Sequence, residues 1–144
     1  MELVMFIGIP GSGKSTFYSQ NFLNTHVRIN RDMLRTETRE RLLIEACLRA
    51  KQPFVLDNTN VTREKRAVFI AQAKASRFRV VGYFFDCPVK EALQRNEQRT
   101  GKARVPAVAI HAMAKKLELP QLDEGFDELF FVKNDFTIER IASS

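Results

Sequence analysis

Three short stretches carry residues able to do chemistry. The first is Gly8-Ile9-Pro10-Gly11-Ser12-Gly13-Lys14-Ser15-Thr16. Glycines at this spacing let backbone N–H groups curl round phosphate oxygens, and a helix starting there adds its partial positive charge. Lys14 has the reach for β- and γ-phosphates, and the Ser15 hydroxyl suits a hard cation such as Mg²⁺. The competing reading is a glycine-rich turn that binds nothing. The second stretch is Asn30-Arg31-Asp32, with Arg35 three residues further on. An acid set among arginines is either an ordinary ion pair or a base beside an anionic substrate, and spacing alone admits both. The third is Asp57-Asn58-Thr59-Asn60.

These stretches need elements to hold them. Residues 3–7 form a continuous apolar run, as expected of a strand covered on both faces. A helix is predicted over residues 13–23 and a short second strand over 27–29. A helix follows in TETRERLLIEACLRAK, with Leu43, Ala46, Cys47 and Ala50 as its apolar stripe. Residues 54–56 make a third strand, and Thr62 caps a helix running to about Ser76. FRVVGYFFD is the fourth strand, and Pro88 opens the next helix. Residues 100–106 read as a loop, 107–116 as a helix and ELFFV as a fifth strand. Strands alternating with helices predict a mainly parallel sheet covered on both faces, and one domain over residues 1–144. Ligands of such sheets sit outside the carboxyl ends of the strands. The three stretches follow strands one, two and three, so they share one rim.

An aspartate at that rim suits the proton acceptor that phosphoryl transfer to an alcohol requires. Arg35, one helical turn on, could grip a substrate phosphate bidentately. Arg95 and Arg99 stand at i and i+4, while Val89, Ala92 and Leu93 mark the packing face of the same helix. The two arginines are either a lid over a triphosphate or a solvated basic helix end. The segment between Asp32 and Asp57 holds one helix and little else, which leaves the acceptor side open. Arg28, Arg31, Arg35, Arg39, Arg41, Arg63, Lys65 and Arg66 follow strands two and three, and the net charge is +6. That balance leans toward polyanionic partners.

The composition excludes several classes. Cys47 and Cys87 lie far apart in no metal-ligand pattern, as expected of small hydrophobes in a reducing compartment. The start MELVMFIGIP has no basic leader, and no run approaches a membrane span. An intracellular, cytoplasmic protein without membrane partners is expected.

The chain resembles the kinase domain of 5′-hydroxyl polynucleotide kinases within the wider group of small P-loop kinases. The resemblance rests on GIPGSGKST, INRDMLR, LDNTN with REKR behind it, RNEQR, VP at 105–106 and LELPQLDEGFDEL. These pieces come in the family's order and span nearly all of the chain. The resemblance implies a P-loop NTPase fold of kinase type, with a five-stranded parallel sheet and a lid, and a need for ATP and Mg²⁺. It implies Asp32 as general base and Arg35 as holder of the phosphate next to the attacked hydroxyl. Gly11, Ser12, Gly13, Lys14, Ser15 and Thr16 would form the donor site, with Ser15 on the metal and Arg95 and Arg99 over the donor phosphates. Asp57, Asn58, Thr59 and Asn60 would form the acceptor-side turn. Residues 132–135 would contact adenine, by analogy with small kinases. The expected acceptor is a 5′ end of DNA or RNA. A phosphatase or ligase of end repair would be a separate chain. The other readings are a kinase of a nucleoside, sugar or other small alcohol, and an ATP-binding module that transfers nothing.

Overall fold

The computed structural model describes residues 1–101 and 104–141. Part of the loop expected over 100–106, residues 102–103, lies outside them. The strands are β1 (Glu2–Ile7), β2 (Val27–Ile29), β3 (Phe54–Asp57), β4 (Arg79–Asp86), β5 (Glu128–Lys133) and β6 (Ile138–Arg140). The helices are α1 (Lys14–Asn21), α2 (Arg31–Leu34), α3 (Glu37–Ala50), α4 (Arg63–Ala75), α5 (Val89–Glu97) and α6 (Ala107–Lys116). The sheet order is β2-β3-β1-β4-β5-β6. The first five strands pair in parallel, in line with the expectation, but a sixth runs antiparallel to β5. It is a three-residue edge strand whose residues are all exposed, so it has no buried face to mark it in the sequence.

Period-two alternation along β1 splits the core. Leu3, Met5 and Ile7 face one apolar cluster with Ile44, Leu48 and Ile70 of α3 and α4. Val4 and Phe6 face the other, with Phe17 and Phe22 around α1. Phenylalanines serve both sides, and on the second they pack ring to ring around Phe6 and Phe17. Phe6 and Phe17 both meet Phe85 edge-on, at ring separations of 5.0 and 5.3 Å. Such pairs add ~0.5–1.5 kcal/mol each beyond the area they bury, and here they fix α1 against β1 and β4.

The predicted stripe of α3 is rotated in the structure. Ile44, Cys47 and Leu48 are buried, while Leu43 is exposed. Both stripes repeat at helical spacing, and the one with the larger aliphatic side chains faces the sheet. The Thr62 cap is present, its hydroxyl accepting from the Lys65 N–H at 3.3 Å.

Candidate active site

The first loop leaves β1 and enters α1. Gly11 and Gly13 take φ of 82° and 98°, a region side chains rarely adopt. Space forbids side chains there too. A Cβ on Gly11 would lie 2.5 Å from the Ala92 carbonyl oxygen, and one on Gly13 would lie 2.9 Å from the Phe136 ring. The loop is thus pressed between α5 and the β5–β6 turn. Ser12 is buried, Lys14 half-buried, and Ser15 and Thr16 are exposed. Lys14 Nζ donates to the carbonyls of Gly8 at 2.9 Å and Ile9 at 2.8 Å. Burial lowers its pKa from 10.5 to about 8, opposed by the negative charge of Asp57 and helped by the positive charge of Arg99. The Asp32 carboxylate also acts on it, in the raising direction. Asp32 of α2, Asp57 at the end of β3 and Arg99 after α5 are therefore all near enough for their charges to act on Lys14.

The β2 stretch is held by its own asparagine and by the third stretch. Asn30 caps α2, accepting from the Met33 N–H at 2.9 Å, and donates to the Asp57 carbonyl at 2.6 Å. Asn58 accepts from the Arg31 N–H at 2.8 Å and donates to the buried Glu40 at 2.9 Å. Two independent clamps thus set the first turn that carries Asp32. Asp32 itself is exposed and joins none of the ion pairs of the described residues. Arg35 does not share its helical face. Helix α2 ends at Leu34, and Arg35 sits beyond it at φ 74°, uncommon outside glycine.

The remaining members of the third stretch brace the first loop. The Thr59 carbonyl accepts from the Gly8 N–H at 3.0 Å. Asn60, buried and at φ 46°, donates to the Phe6 carbonyl at 2.8 Å. Asp57 is 1% exposed, and its carboxylate accepts from Arg28 Nε at 2.7 Å. Arg28 also reaches Ser15 Oγ, at 3.2 Å. A cationic group already bridges this hydroxyl and this carboxylate, and both present hard oxygens. They fit Mg²⁺, which takes one or two protein oxygens and completes its shell with water and phosphate. Among the described residues no cluster of three or more metal-ligating side chains offers an alternative.

Helix α5 seats the two arginines differently. Arg95 donates to the Gly11 carbonyl and, through its other terminal nitrogen, to the Asn134 carbonyl and side chain at 3.2 and 2.9 Å. Its guanidinium lies 6.0 Å from the centre of the Phe136 ring. It therefore ties the first loop to the turn after β5, at Asn134 within the segment expected to meet adenine. Arg99 follows the helix and is the arginine whose charge bears on Lys14. Buried Asn96 pins the far side of this loop, exchanging two hydrogen bonds with the backbone of Val105. Sequence reasoning named Arg28 only within a basic cluster and Asn134 only within residues 132–135, and it did not single out Glu40, Asn96 or Phe136. Asn96 lies inside RNEQR and Arg28 two residues before NRD, so position offered a signal for those two. Phe136 offered none.

Residues 3–120 match the family described as AAA domain (AAA_33). The chain belongs to this family. As an AAA_33 domain it is 29% identical over 98% of its length to the transcription factor bHLH140 of Arabidopsis thaliana, spanning 17% of that protein. It is 30% identical over 87% of its length to the bifunctional polynucleotide phosphatase/kinase of Schizosaccharomyces pombe, spanning 32% of it. The chain thus covers a third or less of these relatives. Among solved structures, Chaetomium thermophilum Kti12 in complex with ADP-AlF3 superposes with a TM-score of 0.69 over 91% of this chain and 88% of that one, at 19% identity. The fold of this AAA_33 member is that of a P-loop kinase, with six strands in place of the five expected. No helix among the described residues is long and apolar enough to cross a membrane.

Proposed function

We propose that this protein is an ATP-dependent kinase that phosphorylates the 5′-hydroxyl of a polynucleotide. The observation that carries the reading is Asp32: an exposed carboxylate with no ion pair among the described residues, clamped on the rim where Lys14 lies. In the reaction, the acceptor oxygen attacks the γ-phosphorus and its proton passes to Asp32. The bond from the γ-phosphorus to the bridging oxygen breaks, and ADP leaves. Lys14 and Arg99 offset the charge spreading over the transferred group. Bound Mg²⁺, held by Ser15 with Asp57 behind it, would neutralise phosphate charge. Arg35, turned out of α2 by its strained backbone, takes the phosphate 3′ to the attacked hydroxyl. The named kinase relative and the exposed cations Arg31, Arg35 and Lys65 beside the rim, unpaired among the described residues, support a polynucleotide over a neutral acceptor.

A second reading, a small-alcohol kinase, gains from a specific observation. Four of the eight basic residues expected on the acceptor side are already paired with carboxylates: Arg28, Arg41, Arg63 and Arg66. Transfer from labelled ATP to 5′-hydroxyl oligonucleotides, nucleosides and sugars separates the two. The oligonucleotide should exceed the matching nucleoside in kcat/KM by about tenfold or more, the worth of one charge-assisted contact, and Arg35→Ala should narrow that gap. Equal values would favour the small alcohol.

A further inference from the structure

Arg28 enters the site from the middle of β2, and the proposed chemistry gives it no role. Its Nε donates to Asp57 Oδ2 at 2.7 Å and a terminal nitrogen donates to Ser15 Oγ at 3.2 Å. These are the two oxygens placed above to serve a divalent ion. We propose that Arg28 is a resident cation that competes with Mg²⁺ for Ser15 and Asp57, so that the site holds a nucleoside triphosphate with little help from metal. The inference rests on the reading of the first loop as a nucleotide site.

The physical conflict is one of charge and room. An ion bound to Ser15 Oγ sits about 2.0–2.1 Å from it, within a few ångströms of the guanidinium. Two cations so close repel strongly in a half-buried site. Asp57, at 1% exposure, cannot turn to water for a replacement partner, so Arg28 stays with it while metal is absent. The Arg28 side chain itself is 28% exposed, which leaves it a route outward when an ion takes the Ser15 end. With no metal, its terminal nitrogen stands 3.2 Å from the Ser15 hydroxyl of the first loop and would offer a triphosphate bound there a charge-assisted bond.

The test is the ratio of ATP dissociation constants in EDTA and in excess Mg²⁺, measured by calorimetry on the wild-type chain, Arg28→Gln and Arg28→Lys. Thermal melting reports whether each variant folds. The wild-type ratio should be small. In Arg28→Gln it should rise about tenfold, through loss of metal-free affinity. Half-saturation by Mg²⁺ should fall to lower concentration. Arg28→Lys keeps a charge beside Asp57 but cannot bridge both oxygens, so its ratio should rise by at least about fivefold. It decides the matter alone should Arg28→Gln fail to fold. A rise below that level in every folded variant overturns the inference. Wild-type protein that binds no ATP with or without Mg²⁺ overturns the nucleotide reading and this inference with it.

Discussion

Asp32 stands at the start of α2 with its carboxylate open to solvent and its backbone clamped by Asn30 and Asn58. The amide of Asp32→Asn keeps that shape but cannot take a proton. Turnover on a 5′-hydroxyl oligonucleotide should fall by a factor of about 10²–10⁴, with ATP affinity and melting temperature nearly unchanged. A folded variant that keeps more than about a tenth of wild-type kcat would remove Asp32 from the proton path. Lys14 calls for a different measurement. Its folded pKa, about 8, lies below the ordinary 10.5, so burial disfavours the charged form. Below pH 8 both folded and unfolded chains carry the proton, and the fold bears the whole cost. Between pH 8 and 10.5 the folded chain sheds its proton first, and stability attributable to Lys14 rises. Lys14→Met should therefore melt higher than wild type at pH 7, by about 3 °C or more, and the gap should shrink by pH 10. An equal gap at both values would show that the ammonium is not held at a cost.

Helix α4 and the short turn after α6 are joined by a pair no local pattern specifies. Arg66 is fully buried and meets Glu124 through two bonds, at 2.8 and 3.1 Å. Its third nitrogen bonds the Asn60 carbonyl at 2.9 Å. The REKR and EGF pieces are thus two halves of one buried ion pair, and they steady the turn whose Thr59 holds Gly8. Removing one partner leaves the other charge buried alone. Glu124→Ala should cost about 3–5 kcal/mol by denaturant unfolding, whereas Arg66→Met combined with Glu124→Leu should recover most of it. Additive losses in the double variant would mean that the pair is not coupled.

Across the whole molecule the net charge of +6 is spread unevenly in its use. Arg28, Arg41, Arg63 and Arg66 are spent on carboxylates, and Arg31, Arg35, Arg39 and Lys65 remain exposed near the rim. Binding of a single-stranded oligonucleotide should therefore weaken with salt at a log–log slope of about −3, four cations at ~0.7 each. A slope near −6 would require the paired arginines to bind phosphate as well. A flat response would remove the polynucleotide from the acceptor side.

The strand and helix alternation, the glycine loop entering α1, the Thr62 cap and the placing of three stretches on one rim were legible in the sequence. Each depends on neighbours along the chain: glycine at positive φ, a two- or 3.6-residue repeat, a hydroxyl three residues before an N–H. Tertiary structure alone decided what each polar residue does on that rim. Asp57 meets Arg28 across 29 positions, and Arg66 meets Glu124 across 58. Asn58 and Asn60, which share a motif with Asp57, are committed to Glu40 and Phe6. The edge strand β6 exists because β5 offers it a free ladder, and the stripe of α3 was chosen by the volume waiting beneath it. Pairing, burial and the lowered pKa of Lys14 are set by distances through space, and the one-dimensional chain does not contain those until it folds.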